Sequence, residues 1–147
     1  MEIVVIDSGK KDFLDLLLLA DEQESMIEKY LDRGTLFALY DDGLKTVCVV
    51  TDEGGGMLEI QNLATYQQFQ GQGYACRIIS HVCQVYSGRF SSICLGTGDS
   101  PSILRFYERR GFSFSHRLEN YFTEHYDKPI FEEGMQLKDK IYLKMDI

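Results

Sequence analysis

The 147-residue sequence predicts a mixed α/β fold built on one sheet, in a single domain spanning residues 1–147. Three observations carry that expectation. An early pair of strand patterns flanks Asp42-Gly43, the chemistry of a tight antiparallel hairpin. From Met57 onward strand and helix patterns alternate. The composition, 44% hydrophobic and 12% aromatic with only 2 prolines and 13 glycines, supplies one ordinary core and excludes low-complexity or collagen-like chains.

The elements follow in order. Glu2 to Ile6 is a β-rich run closed by Asp7-Ser8-Gly9. From Asp12, Phe13, Leu14, Leu17 and Leu18 repeat on one helical face as far as Ala20. Ser25-Met26-Ile27-Glu28 reads as a capping box opening a second helix, which Gly34 ends. Thr35–Tyr40 and Lys45–Thr51 form the hairpin strands, and Met57–Thr65 follows Gly54-Gly55-Gly56 as the next strand. Gly71 to Tyr86 places Ala75, Ile78, Ile79, Val82 and Tyr86 at helical spacing. Ser91–Leu95 is a short strand. Asp99-Ser100-Pro101 starts a helix that runs to Arg110 and stops at Gly111. Phe112–His116 and Ile141–Met145 are the last two strands.

Composition also limits function. The net charge of −8 argues against a nucleic-acid or anionic-membrane partner. The longest apolar run, Leu16 to Ala20, is far below the ~20 residues of a membrane span, and Met1 to Ile6 has no basic leader, so the expected location is cytoplasmic. Cys48, Cys76, Cys83 and Cys94 form no C-x-x-C pair and no ligand-spaced set with His81, His116 and His125, so neither zinc nor disulfides are expected.

The charge distribution says more than its sum. No Asp or Glu occurs in the 39 residues from Ile60 to Gly98, where a uniform spread would put roughly six. Inside that stretch lies Gln70-Gly71-Gln72-Gly73-Tyr74-Ala75, between a strand and a helix. Glycines let the backbone turn its N–H groups toward a ligand, and a helix N-terminus favours a phosphate or pyrophosphate. A carboxylate nearby would oppose that anion. No G-x-x-x-x-G-K-[ST] string is present, and a G-x-G-x-x-G reading fails at Cys76, so nucleotide cofactors are disfavoured.

Gln70-x-x-Gly73-x-Ala75 resembles the acyl-CoA loop of the GNAT N-acetyltransferases, written Arg/Gln-x-x-Gly-x-Gly/Ala. The order of elements is similar nearly end to end. Ser102 to Tyr107, followed by Gly111-Phe112, resembles the family's later helix with its tyrosine four residues before a Gly-Phe pair. Many members open that helix with asparagine, where this chain has Asp99 and Ser100. The stretch Tyr121 to Ile141 is similar to a tail in a bacterial subgroup.

The resemblance implies a mostly antiparallel central sheet with helices on both faces. It implies acetyl transfer from acetyl-CoA to a primary amine, on a small molecule or a protein, by direct attack in a ternary complex. The pantetheine arm would lie along Leu63, Ala64 and Thr65, and the pyrophosphate on Gln70, Gly71, Gln72, Gly73, Tyr74 and Ala75. Glu59 is the candidate base, since an alkyl ammonium of pKa near ~10.4 must lose a proton before attack. Tyr107 is the candidate acid for the departing thiolate. A non-catalytic acyl-CoA-binding module is the alternative, and a homodimer is compatible with either. Tyr121 and His125 could cover the acceptor site and Glu132 and Glu133 attract a cation, though lone histidines and paired acids are more often plain surface. Arg105, Glu108, Arg109 and Arg110 read as the exposed face of a helix.

Overall fold

A computed structural model describes residues Met1–Ile147. Its strands are β1 (Glu2–Ile6), β2 (Thr35–Tyr40), β3 (Leu44–Asp52), β4 (Met57–Thr65), β5 (Ser92–Gly98), β6 (Ser113–Leu118), β7 (Phe131–Glu132), β8 (Met135–Gln136) and β9 (Lys140–Asp146). Its helices are α1 (Leu14–Ala20), α2 (Glu24–Leu31), α3 (Tyr74–Tyr86), α4 (Pro101–Glu108) and α5 (Tyr121–His125). Seven strands form one sheet in the order β1-β2-β3-β4-β5-β9-β6, and β7-β8 is a separate hairpin. Every neighbouring pair is antiparallel except β4 with β5. The mostly antiparallel sheet flanked by helices is therefore present.

Each face has its own core, as strand alternation requires. One joins Phe37, Cys48, Val50, Ile60, Ile93 and Leu143 to Ile78, Ile79 and Val82 of α3. The other joins Ala38, Val47, Val49 and Ala64 to Leu16 and Leu17 of α1 and Ile27, Tyr30 and Leu31 of α2.

Two irregularities position the site. The β3–β4 register shifts between Val49↔Asn62 and Val50↔Ile60, leaving Gln61 as the extra residue of a bulge. The bulge keeps Ile60 and Leu63 against α3 and turns Glu59, Asn62 and Ala64 to the α1–α2 side. The parallel pairing of β4 and β5 lasts only from Met57↔Ser92 to Ile60↔Leu95. Beyond it the two strands part, and their facing edges open a wedge.

Several local expectations change. Ser25 lies inside α2, whose N-cap is Gln23 with no side-chain capping bond; Ser25 Oγ takes a hydrogen bond from Gln23 Nε2 at 2.8 Å instead. Strand β5 runs on to Gly98 rather than ending at Leu95. Helix α3 begins at Tyr74, leaving Gly71 to Gly73 in the loop. Ser100 caps α4 by position, but its hydroxyl donates to Glu133 Oε2 at 3.0 Å and not to the helix. Helix α5 and the β7–β8 hairpin are additions to the sequence reading. No helix is long and apolar enough to cross a membrane.

Candidate active site

Gly73 is the N-cap of α3 at φ 88°, ψ 7°, and Gly71 has φ 79°. Both are left-handed, a conformation that glycine adopts without strain. A Cβ at either would meet no protein atom within 4 Å, so the space over the loop is open. The first N–H groups of α3 have no acceptor within the helix and carry its positive end. Tyr74 anchors the turn by donating to Asp41 Oδ2 at 2.8 Å, and Gln70 Nε2 donates to the Thr65 carbonyl at 3.2 Å.

Over this loop lies a cavity of about 670 Å³, walled by Leu63, Thr65, Phe69, Gln70, Gly71, Gly73, Tyr74, Ala75 and Cys76, and across from them by α4 residues with Arg110. Gln72 is exposed and outside that wall. Arg110 departs from the exposed face expected of it. Its guanidinium sits 4.3 Å from the centre of the Phe106 ring and donates to Cys76 Sγ at 2.7 Å, bringing a fixed cation to an acid-free wall.

In the wedge between β4 and β5 a second cavity, about 240 Å³, shares Leu63, Thr65, Gln70, Ile103 and Tyr107 with the first. Of the three strand residues expected here, Leu63 and Thr65 line both cavities, whereas Ala64 lines the wedge alone. Ala64 is 4% exposed, belongs to the α1–α2 core, and gives its carbonyl to Thr46 Oγ1 at 2.6 Å. Tyr107 lies where the two cavities meet. Its ring packs edge-on to Phe106 at 5.1 Å and Phe112 at 5.7 Å, and its hydroxyl has no hydrogen-bond partner in the protein. Burial raises its pKa above the usual phenol range, so the group is a proton-bearing phenol.

A third cavity of about 190 Å³ continues from the wedge on the α1–α2 side, sharing Leu19, Ala20, Gln61, Gly96, Thr97 and Glu132 with it. Tyrosines and a buried carboxamide brace its wall. Asn62 Nδ2 donates to the Leu17 carbonyl and the Tyr30 hydroxyl at 3.0 and 3.1 Å, Tyr30 donates to Asp21 Oδ2 at 3.0 Å, and Tyr126 donates to Asp21 Oδ1 at 2.7 Å. Tyr121 lines this cavity, while His125 is exposed and holds the Tyr121 carbonyl at 2.9 Å through Nδ1.

Glu59 is 9% exposed, not on a wet face. Its Oε1 lies 3.9 Å from Cys94 Sγ and its Oε2 receives the Tyr142 hydroxyl at 3.4 Å. Burial raises its pKa, with the nearby Lys140 ammonium acting in the opposite direction. Glu59 is not itself in the wall of the wedge or of the third cavity, but Lys140 is in the latter. Sequence reading passed over Lys140, Tyr142 and the glycines of β5. A Cβ on Gly96 would collide with Lys140 Cε and come within 3.0 Å of the Tyr142 ring, so Gly96 makes room for both. The Gly96-Thr97-Gly98 triplet was the available signal. No cluster of three or more His, Cys, Asp or Glu is placed to hold a metal.

A glycine cradle on a helix N-terminus, acid-free walls, and a splayed parallel strand pair leading inward suit an acyl-CoA. No family model matches the chain. The uncharacterized N-acetyltransferase YvbK of Bacillus subtilis (strain 168) is 31% identical over 153 aligned positions, covering 100% of this chain and 99% of that protein. A GNAT family acetyltransferase from Elizabethkingia anophelis, solved with acetyl-CoA bound, superposes with a TM-score of 0.93 at 30% identity, over 99% of this chain and 97% of that one. A Bacillus subtilis acetyltransferase in complex with CoA gives 0.89 at 29%, over 99% and 98%. The chain belongs to the GNAT superfamily of N-acetyltransferases. Acetyl-CoA is its co-substrate, and the loop glycines, the α3 N-terminus and the acid-free cavity over them are the features that suit it.

Proposed function

We propose that the protein acetylates a primary amine, of a small molecule or a protein, by direct attack of the amine on acetyl-CoA while both are bound. The continuity of the three cavities carries this reading, because it joins the cofactor cradle to an acceptor space past Tyr107. Acetyl-CoA supplies an activated thioester. The loop from Gln70 to Ala75 holds the pyrophosphate, and the unpaired edge of β4 at Leu63 and Thr65 aligns the arm.

Glu59 draws the proton from the acceptor ammonium through water. Its raised pKa brings a carboxylate closer to neutrality, where a general base works best. Tyr107 returns a proton to the leaving sulfur. The state of Cys94 argues against a covalent intermediate on that residue. Cys94, beside Glu59, has its pKa pushed up to about 12 by burial and by that carboxylate, so it is not a thiolate nucleophile.

The test is release of free CoA thiol from acetyl-CoA across a panel of amino acids, polyamines and aminoglycosides. Amine-dependent release with a matching acetylated product is the expected result. Tight acetyl-CoA binding without amine-dependent release across the panel and peptide amines would overturn the proposal in favour of a non-catalytic module.

A further inference from the structure

Of the charged side chains lining the acceptor-side cavity, Glu132 and Lys140 are half-buried and have no partner, whereas the likewise unpaired Glu22 and Lys29 are exposed. Glu132 accepts no hydrogen bond at either oxygen, its Oε2 is shut off from solvent, and no cationic group lies within 4.0 Å. Lys140 Nζ donates no hydrogen bond and has no carboxylate oxygen within 4.0 Å; it rests 4.3 Å from the centre of the Tyr121 ring. Charged groups taken out of water are ordinarily paired. Here both line one small cavity and neither is paired.

Both are also held in place. Glu133, next to Glu132 in the hairpin turn, is fixed to the start of α4 by hydrogen bonds from Ser100 and Ser102. Lys140 lies in the room left by Gly96, where any side chain would displace it. Their positions along the cavities differ. Glu132 lines the wedge as well as the acceptor cavity, whereas Lys140 lines the acceptor cavity only.

We infer that these two side chains are the ends of a zwitterion site: Glu132 takes the acceptor's ammonium beside the wedge, and Lys140 takes a carboxylate farther in. The acceptor is then a small amine bearing a free carboxylate, an amino-acid-like molecule. The inference rests on the acetyltransferase reading above. A cavity of about 190 Å³ fits such a molecule, being smaller than the ~300–1,000 Å³ of drug-sized sites. Of the other carboxylates in this wall, Asp21 already accepts the hydroxyls of Tyr30 and Tyr126, and Glu22 is exposed to solvent. A polyamine, which has no carboxylate, would leave Lys140 unmatched and bring a second cation into the same cavity.

Matched pairs that differ only in the carboxylate test this: lysine and cadaverine, ornithine and putrescine, histidine and histamine, tyrosine and tyramine. In each, kcat/KM is measured from thiol release, and binding to the CoA-loaded protein by calorimetry. At least one amino acid is expected to exceed its amine by tenfold or more. Lys140→Met collapses that ratio to within about threefold, Lys140→Arg preserves it, and Glu132→Gln lowers both members of the pair alike. Circular dichroism confirms folding of each variant, and the surviving ratio in Lys140→Arg guards against a merely structural effect. Equal or better use of the amine in every pair, a ratio unchanged in Lys140→Met, or no acetylation and no binding of any amino acid overturns the inference. In those cases turnover of a carboxylate-free amine leaves the acetyltransferase reading standing. Failure to bind acetyl-CoA counts against that reading instead.

Discussion

Replacing Tyr107 by phenylalanine deletes one oxygen and keeps the ring in its packing. The hydroxyl has no protein partner, so its loss orphans no donor or acceptor, and the edge contacts to Phe106 and Phe112 persist. Stability should change by less than ~0.5 kcal/mol, a Tm shift of no more than about 2 °C for a chain of this size. The acetyl-CoA dissociation constant should stay within about twofold, since the loop supplies the anion contacts. If the phenol protonates the departing sulfur, kcat should fall ~10- to 100-fold, equivalent to ~1.4–2.7 kcal/mol of transition-state stabilisation. Burial holds the phenol protonated across the range from about pH 6 to 9, so the profile should drop in amplitude and keep its shape. Thiol release with a working acceptor, together with calorimetry, measures all of these. A phenylalanine variant with wild-type turnover would refute the acid role. A loss of several degrees in Tm with turnover per folded molecule preserved would make Tyr107 a packing residue.

Other perturbations separate the remaining parts of the site. Glu59→Gln should lower kcat/KM by ~10²- to 10⁴-fold and abolish the acid limb of the profile. Because burial raises the Glu59 pKa in the folded state, its contribution to stability is full below the ordinary carboxylate pKa and is lost as pH rises through the raised one. The Gln variant should therefore gain Tm relative to wild type on going from about pH 4 to pH 8, and an unchanged difference would contradict that shift. Gly73→Asp, at φ 88° and with an added negative charge, should weaken acetyl-CoA at least tenfold, ~1.4 kcal/mol, in a protein whose circular dichroism is unchanged; unaltered affinity by calorimetry removes the anion cradle. Asp21→Ala strips the Tyr30 and Tyr126 hydroxyls of their acceptor and should cost about 1–3 kcal/mol by urea denaturation, with an undiminished midpoint counting against the network.

The cofactor half of the site was legible in sequence because its determinants are local. The glycines at 71 and 73, the lack of acids around them, and the helical spacing of Ile78, Ile79 and Val82 all lie within one short segment. Tyr107 was singled out by the family resemblance, which places a tyrosine four residues before Gly111-Phe112. The acceptor half was mostly not legible, since long-range contacts define it. Tyr126 meets Asp21 across 105 positions, and a five-residue α5 has too little periodicity to announce itself. Alternation in β9 shows that Lys140 and Tyr142 share a face but not what that face meets. Gly96 and Gly98 look like a break in a strand pattern. In the structure they continue it, because Lys140 and Leu137 fill the space their side chains would take. Glu132 and Glu133 are indistinguishable in sequence, yet one is bound to serines and the other faces the cavities.

Strand β9, the last in the sequence, is inserted between β5 and β6 rather than added at an edge. During synthesis, strands β1 to β4 can pair with sequence neighbours as they emerge, whereas β6 has no sheet partner until β9 arrives. Closing the sheet thus waits for a long-range event, the slow kind in folding. Until then β5 and β6 each present an unpaired edge, a hazard for self-association. The same strand carries Lys140, so a chain can assemble its glycine loop well before the proposed acceptor cavity gains that side chain. Completion of the fold and completion of the proposed acceptor cavity are one step.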